Sequence, residues 1–334
     1  MTRTLIIAEA GVNHNGDVAT ACALVDAAVT AAADVVKFQT FRADQLATGA
    51  APKAAYQERQ TRSGGAQRDM LARLELDEAA HRTILAHCQS RGIAFLSTAF
   101  DDASLDLLLT LDMARYKVPS GEITNLPMLR RIGALGKPVI LSTGMATLGD
   151  IEAALDALVT AGTPRSAITV LQCTTDYPAS LDDVNLRAMQ SIAQAFGVAV
   201  GFSDHTAGIE ASVAAVALGA TVIEKHLTLD KTADGPDHAA SLEPGEFAAM
   251  VSAIRNVERA LGSGHKRPTV REQANRIPAR KSIVAARDIA EGAMITADDL
   301  AVKRPGSGLS PMRWDDVIGR PARRAFVADE MIEL

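Results

Sequence analysis

A regular alternation of short apolar runs and longer helical stretches constrains the fold of this chain more than any other feature. The segment Val198–His226 shows one repeat: Val198–Phe202 is a β-branched run, Ile209–Leu218 is Ala-rich with helical periodicity, and Thr221–Glu224 is a second apolar run. Eight such strand–helix pairs follow one another up to Leu261. Eight pairs close a (β/α)8 TIM barrel, so we predict an α/β barrel rather than an open doubly wound sheet.

The composition agrees with this fold and argues against several classes of protein. Hydrophobic residues make up 48% of the 334 residues and aromatic ones only 4%, which predicts a core of Ala, Val, Leu and Ile. The net charge of −6, without a basic patch interleaved with aromatic residues, argues against nucleic-acid binding. The three cysteines are too widely spaced for a disulfide framework. With neither a signal peptide nor an apolar run of about 20 residues, we expect a cytoplasmic protein without a membrane partner.

Changes of pattern along the chain predict three regions. Residues 1–262 form the barrel, 263–279 a flexible basic linker, and 280–334 a small, mainly β domain. Within the barrel, the polar stretch from about Arg42 to Leu74 is predicted to be an inserted mobile loop or lid. A domain of about 55 residues is marginally stable alone, so we expect it to lean on the barrel or on a second subunit.

Polar side chains follow all eight predicted strands, at the rim where barrel active sites lie. His205 and His226 end consecutive strands, and two imidazoles brought together there favour a divalent metal slightly over two separately hydrogen-bonded histidines. Lysines and hydroxyls at the other strand ends favour a phosphate or carboxylate ligand over isolated salt bridges. These groups are Lys37, Lys117, Ser120, Ser142 and Ser203, beside backbone turns at Gly121 and Gly144.

Seven short motifs occur in order along the barrel. They are Ala8–Gly16, Val36–Thr40, Tyr116–Glu122, Leu141–Met145, Ser203–Thr206, Glu224–His226 and Gly235–Asp237. With these residues the chain resembles the sialic acid synthase family, the bacterial nonulosonate synthases, over essentially its whole length. The tail, which contains Lys303–Gly306, resembles the antifreeze-like (SAF) domain of the same enzymes.

The resemblance implies that phosphoenolpyruvate condenses with the open-chain form of an N-acylated mannosamine-type sugar. The enol carbon would attack the sugar aldehyde, water would add at the resulting oxocarbenium centre, and phosphate would leave with C–O cleavage. The product would be N-acetylneuraminate or N,N'-diacetyllegionaminate. By the same resemblance, His205 and His226 would hold a Mn²⁺ or Mg²⁺ ion that polarises the aldehyde oxygen.

The resemblance also implies roles for matching positions. Glu9 and Glu122 match the acid/base carboxylates, although an ion pair with Lys37 or Lys117 is an equally open interpretation for each of them. Lys37 would bind the carboxylate of phosphoenolpyruvate. The positions around its phosphate are Lys117, Ser120, Ser142, Gly144, Met145 and Ser203. The sugar-contacting positions are Gln39, Thr175, Tyr177, Asp237 and Arg304.

Two of these positions bear on assembly and on the sugar. Arg304 matches an arginine that the tail of one subunit places over the sugar in its partner's barrel, which implies a domain-swapped homodimer. Composition alone would make Arg304 a surface residue in a Pro-Gly turn. Thr175 stands where some N-acetylmannosamine-using members carry Asn, and Cys173–Pro178 resembles the legionaminic acid branch, whose sugar is a 2,4-diacetamido-2,4,6-trideoxymannose. The exact sugar stays open between these two.

Two other functions are weighed against the synthase. A metal-dependent or Schiff-base pyruvate aldolase could use Lys37 or Lys117 as its amine, but metal-binding histidines argue against the need for one. The other alternative is a non-catalytic protein that binds glycans or ice through its tail. The lysines, serines, histidines and glutamates of the rim argue against it.

Overall fold

Eight parallel strands form a closed barrel in which each strand pairs with the next and β8 pairs back onto β1. This confirms the predicted (β/α)8 barrel. The structure is a computed structural model that describes residues 3–61 and 65–334. The strands are β1 (Leu5–Gly11), β2 (Val35–Thr40), β3 (Ala94–Ala99), β4 (Tyr116–Val118), β5 (Val139–Ser142), β6 (Ile168–Cys173), β7 (Ala199–Asp204) and β8 (Val222–His226).

Helices follow the strands, and several begin at a side-chain cap. The carboxylates of Asp17 and Asp77 accept hydrogen bonds from backbone N–H groups of the first turn, and Thr147 forms a capping box with Asp150. Such caps satisfy donors that the first helical turn leaves unpaired. The helices of the barrel unit are α1 (Val18–Thr30), α2 (Ala43–Leu46), α3 (Ala55–Thr61), α4 (Gln67–Ala72), α5 (Glu78–Arg91), α6 (Asp102–Thr110), α7 (Leu126–Gly133), α8 (Leu148–Ala161), α9 (Ala188–Phe196), α10 (Glu210–Ala217) and α11 (Pro244–Leu261).

The core lies between the helices and the barrel wall. In α1 the buried residues are Ala21, Leu24, Val25 and Ala28, which recur at helical spacing on one face. The strands are buried along most of their length, as expected for a parallel sheet covered by helices. Burying one Val or Leu side chain contributes about 1.5–3 kcal/mol. This apolar layer holds the strand ends, and hence the rim, in fixed positions.

The stretch from Arg42 to Leu74 has more secondary structure than a loop, because it contains α2, α3 and α4. Residues 62–64 of this stretch lie outside the described residues. Met70 in α4 and Leu74 just after it are buried, and this packing stabilises a helix that would be too short to form alone. The prediction of a loop was therefore wrong for the described part, while the role of a lid stays a prediction.

The second compact unit runs from Gly264 to Leu334. It contains α12 (Val270–Ala279), an antiparallel pair of strands, β9 (Ser282–Ala285) and β10 (Leu300–Lys303), and the short α13 (Trp314–Val317). The small, mainly β domain is thus confirmed. Helix α12 lies within the predicted linker. Its large apolar side chains, Val270 and Ile277, are exposed and too few to form the stripe by which a helix is predicted.

Short 3-10 helices complete the secondary structure. They are Ser120–Glu122, Arg165–Ala167, Leu181–Asp183, His238–Ala240, Ala297–Asp299 and Pro311–Arg313. Among the helices of the described ranges, none combines the length and the apolar character needed to cross a membrane.

Candidate active site

The register of the parallel strands brings the predicted site residues together at one end of the barrel. Glu9 on β1 is paired with Lys37 on β2 and with His226 on β8. Ser203 on β7 is paired with Glu224 on β8. Because these strands run parallel, their carboxyl ends share one rim, where barrel active sites form.

Two lysines and two glutamates make a buried lysine–carboxylate cluster, defined as Glu9, Lys37, Lys117 and Glu224. Lys37 Nζ lies 2.6 Å from Glu9 Oε2 and 3.7 Å from Glu224 Oε2. Lys117 Nζ lies 3.1 Å from Glu224 Oε1, which also accepts a 3.0 Å hydrogen bond from Ser203 Oγ. None of the four side chains is more than 6% exposed. Four ionisable groups are thus held together out of water, where opposite charges attract strongly.

The pKa values of the two glutamates diverge within this cluster. Burial raises the pKa of Glu9 to about 7, against the opposing effect of Lys37. Burial also acts to raise the pKa of Glu224, but Lys117 and Lys37 outweigh it and lower that pKa to about 2. Glu9 can therefore exchange a proton near neutral pH while Glu224 stays ionised, a division typical of acid/base sites.

The two lysines also differ. Burial acts to lower the pKa of Lys37, but Glu224 and Glu9 outweigh it, so the pKa is raised. Burial lowers the pKa of Lys117, and Glu224 offsets this only in part. Lys37 therefore has the stronger hold on its proton, and both cations lie where they can face an anionic ligand.

Hydroxyl groups beside the cluster are left without partners. Ser142 Oγ and Thr175 Oγ1 are buried and have no hydrogen-bond partner in the described part of the chain. Ser120 Oγ accepts a 2.9 Å hydrogen bond from Gly144 N. A Cβ on Gly144 would lie 2.1 Å from Thr175 Oγ1, so a larger residue would fit there only if neighbouring side chains moved. Met145 follows with φ +67° and a largely exposed side chain. Buried hydroxyls that the protein leaves unpaired can bond to a polar ligand or to water.

The two histidines predicted to bind metal lie side by side. The ring centroids of His205 and His226 are 5.4 Å apart. His205 Nδ1 lies 2.6 Å from the Thr174 carbonyl oxygen, which can only accept, so Nδ1 carries a proton. His205 Nε2, which lies 3.4 Å from Ser203 Oγ, is the nitrogen that could bind a metal. Burial acts to lower the pKa of His205, but the neighbouring Cys173 outweighs it and the pKa is raised. Burial lowers the pKa of His226 well below its usual range, which keeps this imidazole neutral.

The donor set of these side chains fits a divalent metal. His226 Nδ1 is buried without a hydrogen-bond partner among the described residues and lies 3.9 Å from Asp237 Oδ2. Two imidazoles and a carboxylate suit first-row divalent ions. Residues 3–61 and 65–334 contain no group of three or more His, Cys, Asp or Glu side chains arranged as a metal site. The fit therefore rests on two histidines and one nearby carboxylate.

Aromatic and polar groups surround the histidines on the predicted sugar side. The ring of Tyr177 stacks on His205 at 4.1 Å and lies 4.8 Å from the ring of Tyr56. Gln39 Nε2 donates a 3.2 Å hydrogen bond to Glu9 Oε1. Burial raises the pKa of Asp237 to about 6. These side chains offer both stacking surface and hydrogen-bonding groups to a ligand.

The structure distinguishes the two glutamates for which an ion pair was an open interpretation. Glu9 is paired with Lys37, as that interpretation expected. Glu122 accepts a 2.6 Å hydrogen bond from Asn125 Nδ2, and Lys117 is paired with Glu224 instead. Burial raises the pKa of Glu122. Glu122 is thus not part of the lysine–carboxylate cluster.

One cavity of about 340 Å³ collects most of the predicted residues. The predicted site residues that line it are Glu9, Lys37, Gln39, Lys117, Ser120, Glu122, Ser142, Met145, Thr175, Tyr177, Ser203, His205, His226 and Asp237. Gly144 lies behind Ser120 and Thr175. Arg304 belongs to the second unit, where its Nε donates a 3.1 Å hydrogen bond to Ala279 O. A larger cavity of about 770 Å³, near Val18 and Leu107, has none of the predicted residues among its described lining.

With this geometry in place, comparison with known proteins identifies the family. The sequence profile of the NeuB family matches residues 24–266, and that of the SAF domain matches residues 280–333. The chain belongs to the NeuB family. It is similar to the N,N'-diacetyllegionaminic acid synthase of Campylobacter jejuni, with 50% identity over 99% of each chain. It is also similar to the enzyme of that name in Legionella pneumophila, with 46% identity over 94% of this chain and 89% of the relative.

Solved structures of related proteins share the fold. The N-acetylneuraminic acid synthetase of Leptospira borgpetersenii, crystallised in complex with citrate, aligns with a TM-score of 0.72 and 32% identity over 82% of this chain and 90% of that one. The spore coat polysaccharide biosynthesis protein SpsE of Bacillus subtilis aligns with a TM-score of 0.65 and 34% identity over 99% and 94% of the two chains.

Sequence reasoning left one central residue of this NeuB-family site without a role. Glu224 ends a predicted strand and belongs to one of the seven motifs, but it was not predicted to be a site residue, although it contacts both lysines of the cluster. The available signal was alternation along β8, because Glu224 and His226 are two residues apart and face the same side. Lys225, between them, faces the other side and pairs with Asp204.

Proposed function

We propose that this chain condenses phosphoenolpyruvate with 2,4-diacetamido-2,4,6-trideoxymannose and releases phosphate, as an N,N'-diacetyllegionaminic acid synthase. The observation that carries the proposal is one cavity in which two lysines and unpaired hydroxyls adjoin a pair of histidines. Such a cavity suits two ligands side by side, one with two anionic groups and one with an aldehyde group. The choice of sugar rests on the 50% identity with the Campylobacter jejuni relative, and N-acetylmannosamine is the second candidate.

In this proposal the lysines and hydroxyls bind phosphoenolpyruvate. Lys37 takes the carboxylate group. The residues around the phosphate are Lys117, Ser120, Ser142, Gly144, Met145 and Ser203. The unpaired hydroxyls of Ser142 and Thr175 gain partners when an anion or the sugar binds, which supports this placement.

The reaction requires two proton transfers. Carbon 3 of phosphoenolpyruvate bonds to the aldehyde carbon while the aldehyde oxygen gains a proton. Water then bonds to carbon 2 and loses a proton, and cleavage of the C–O bond releases phosphate. Glu9 and Glu122 both line the cavity, and burial raises the pKa of each, to about 7 for Glu9. A carboxyl group with a raised pKa is suited to hold the proton that such a step transfers.

His205 and His226 would hold a Mn²⁺ or Mg²⁺ ion, with Asp237 beside them. Such an ion supplies Lewis-acid polarisation of the aldehyde oxygen. The chain itself prepares the ligands, since the Thr174 carbonyl orients the ring of His205 and burial keeps His226 neutral.

The metal assignment predicts a loss of affinity that can be measured without turnover. We expect His226→Ala to weaken Mn²⁺ binding by about 100-fold or more in calorimetry, because one of two imidazole ligands is lost. His87→Ala, at a partly exposed site bonded to Asp26, is the control and should bind as the wild type does. Equal affinity in both variants would contradict the assignment, as would full activity in the presence of a chelator.

Arg304 and the subunit arrangement are part of the same proposal. Arg304 would cover the sugar in the barrel of a partner subunit in a domain-swapped homodimer, as the family resemblance implies. Arg304→Ala should then raise the KM for the sugar and leave that for phosphoenolpyruvate nearly unchanged, and sedimentation should give a dimer. A monomer, or an unchanged sugar dependence, would contradict this part. The cytoplasmic location is likewise a proposal.

The experiment that tests the function measures phosphate release from phosphoenolpyruvate with Mn²⁺ present. Release should depend on an added sugar, and 2,4-diacetamido-2,4,6-trideoxymannose should be a better substrate than N-acetylmannosamine. Borohydride treatment with pyruvate provides the contrast, because trapping at Lys37 or Lys117 would instead support a Schiff-base aldolase. No release with either sugar from folded, metal-loaded protein would overturn the synthase.

A further inference from the structure

One side of the active-site cavity is apolar. Seven residues, which we call the apolar wall, line it beside the charged and hydroxyl groups. They are Val12, Phe41, Leu46, Met70, Leu71, Leu74 and Phe100. Four of the seven, from Leu46 to Leu74, belong to the inserted segment, whereas the lysine–carboxylate cluster comes from the barrel strands. The cavity therefore has two chemically different sides.

Six of the seven wall residues form a packed unit. Val12, Phe41 and Leu74 form a buried hydrophobic cluster of their own, against which Leu46, Leu71 and Phe100 pack, and Met70, also buried, is the seventh. The rings of Phe41 and Phe100 meet edge to face at 6.3 Å. A surface packed in this way presents carbon atoms to the cavity and cannot turn polar groups toward a ligand.

Two amide side chains of the inserted segment, Gln57 and Gln67, also line the cavity and are bonded to each other. Gln57 Oε1 accepts hydrogen bonds from Ala54 N at 2.9 Å and from Gln67 Nε2 at 3.2 Å. Gln57 Nε2 donates to Tyr56 Oη at 3.4 Å. A sugar hydroxyl that displaced these bonds would gain little, because one hydrogen bond would replace another.

We propose that the apolar wall selects the sugar, by accepting a methyl group at carbon 6 and excluding a hydroxyl group there. The inference rests on the proposed function. The aldehyde carbon must lie near the histidines and the lysine–carboxylate cluster, so the opposite end of the sugar, carbons 4 to 6, reaches the rest of the cavity. A hydroxyl group buried against the wall loses its water without gaining a partner.

The expected preference for the 6-deoxy sugar has a limited size. An apolar pocket rejects a substrate that merely adds a hydroxyl group by roughly 100-fold. The matched pair of sugars is 2,4-diacetamido-2,4,6-trideoxymannose and 2,4-diacetamido-2,4-dideoxymannose, which differ only in the hydroxyl group at carbon 6. We therefore expect kcat/KM for the first to exceed that for the second by about 100-fold. The affinity for phosphoenolpyruvate should not depend on the wall, since the wall contributes no charge or hydrogen bond.

The test places a polar group on the wall with little change of volume. Met70→Gln exchanges side chains of similar length at a buried position of the wall. We expect the preference for the 6-deoxy sugar to fall about tenfold, because the amide can bond to a hydroxyl group, while the KM for phosphoenolpyruvate stays the same. Leu74→Asn, a second wall variant, should shift the preference in the same direction. Using the ratio of the two kcat/KM values removes any effect of the fraction of protein that is folded.

Met128→Gln is the matched control, because it makes the same exchange at a buried position of α7 that is not among the described residues lining the cavity. Its sugar preference should equal that of the wild type. If the wild type used both sugars of the pair equally, or if the wall variants kept the full preference, the proposal that the wall selects the sugar would be wrong. The proposed synthase activity would not be affected. Absence of phosphate release with any of these sugars in the folded wild type would overturn the proposed function and this inference with it.

Discussion

Two buried pairings of lysine with carboxylate lie next to each other in the sequence and differ in how completely they are bonded. Lys225 and Asp204 are fully buried, with Lys225 Nζ 3.2 Å from Asp204 Oδ1. Asp204 also accepts hydrogen bonds from Thr206 N at 2.8 Å and from Ser212 Oγ at 2.6 Å. Lys225 additionally donates to the Thr206 carbonyl oxygen. This pair is complete within the protein.

The lysine–carboxylate cluster, one residue away along β7 and β8, is incomplete. Glu224 Oε2 is buried without a hydrogen-bond partner among the described residues, and the hydroxyls of Ser142 and Thr175 are in the same situation. Because side chains alternate along a strand, neighbouring positions serve two different environments. The completed pair fastens α10 to the barrel, whereas the incomplete cluster faces the cavity and is ready for a ligand.

The largest expected effect is on catalysis. Lys117→Met should lower kcat/KM for phosphoenolpyruvate about 1,000-fold, because in the proposed site it removes a preorganised positive charge beside the departing phosphate. Circular dichroism should show a folded protein. Lys137→Met, which removes a partly exposed lysine paired with Asp112, is the control and should keep its activity. Activity of Lys117→Met within about threefold of the wild type would remove this lysine from the site.

Breaking the completed pair should act on stability instead. Asp204→Asn should lower the free energy of unfolding by about 3–5 kcal/mol, because it leaves the buried charge of Lys225 uncompensated. Urea denaturation measures this quantity, and the KM for phosphoenolpyruvate of the folded fraction should be unchanged. Asp182→Asn, at an exposed position, should have little effect. A catalytic defect in Asp204→Asn without loss of stability would contradict the distinction between the two pairings.

A third buried group, His14, extends the comparison to the pH dependence of stability. Burial lowers the pKa of His14 to about 4, its Nδ1 accepts a 3.0 Å hydrogen bond from Gly16 N, and its Nε2 has no partner in the described ranges. The unfolded chain binds this proton at a pKa of about 6.5. Between about pH 6.5 and 4 the unfolded state therefore holds more protons, and stability falls as the pH is lowered.

This linkage predicts a loss of about 3 kcal/mol from His14 once the pH is below about 4. His14→Asn, which retains an acceptor for Gly16 N, should make the curve of unfolding free energy against pH flatter by that amount. His265→Asn, at an exposed position, is the control. Parallel curves for the wild type and His14→Asn would show that His14 does not titrate in this way.

The smallest expected effect comes from filling the space at Gly144, behind the hydroxyl groups of Thr175 and Ser120. Gly144→Ala would place a Cβ 2.1 Å from Thr175 Oγ1 and 2.9 Å from Ser120 Oγ, so both side chains must move. We expect the KM for phosphoenolpyruvate to rise about tenfold with little change in thermal stability. Gly149→Ala is the matched control, since its Cβ would meet Thr147 Oγ1 at an ordinary 3.7 Å. An unchanged KM in Gly144→Ala would place Gly144 outside the phosphate site.

The fold could be predicted because periodicity is a strong signal in long elements. The predicted strands Val198–Phe202 and Thr221–Glu224 agree with β7 and β8 to within two residues at each end, and the barrel and the small β domain are confirmed. Helices α2, α3, α4 and α12 were missed for a physical reason. Short or exposed helices lack an apolar stripe, and they are stabilised by caps and local contacts that a periodicity argument does not detect.

The candidate site was predicted less completely. Strand ends identify which side chains reach the rim, but not how they pair with one another. Lys117 is paired with Glu224 rather than with Glu122, which depends on the closure of the barrel and not on sequence spacing. The apolar wall was also not predicted, because its residues come from separate segments and become neighbours only in the folded chain.

The measurement that tests the central claim most directly uses phosphoenolpyruvate labelled with ¹⁸O at the oxygen that bridges carbon 2 and phosphorus. The protein, Mn²⁺ and 2,4-diacetamido-2,4,6-trideoxymannose are added, and the phosphate and the sugar product are analysed by mass spectrometry. The proposed C–O cleavage predicts that the label leaves with phosphate and that the condensed sugar acid forms in equal amount. Unlabelled phosphate, or phosphate release that does not require the sugar, would contradict the proposed reaction.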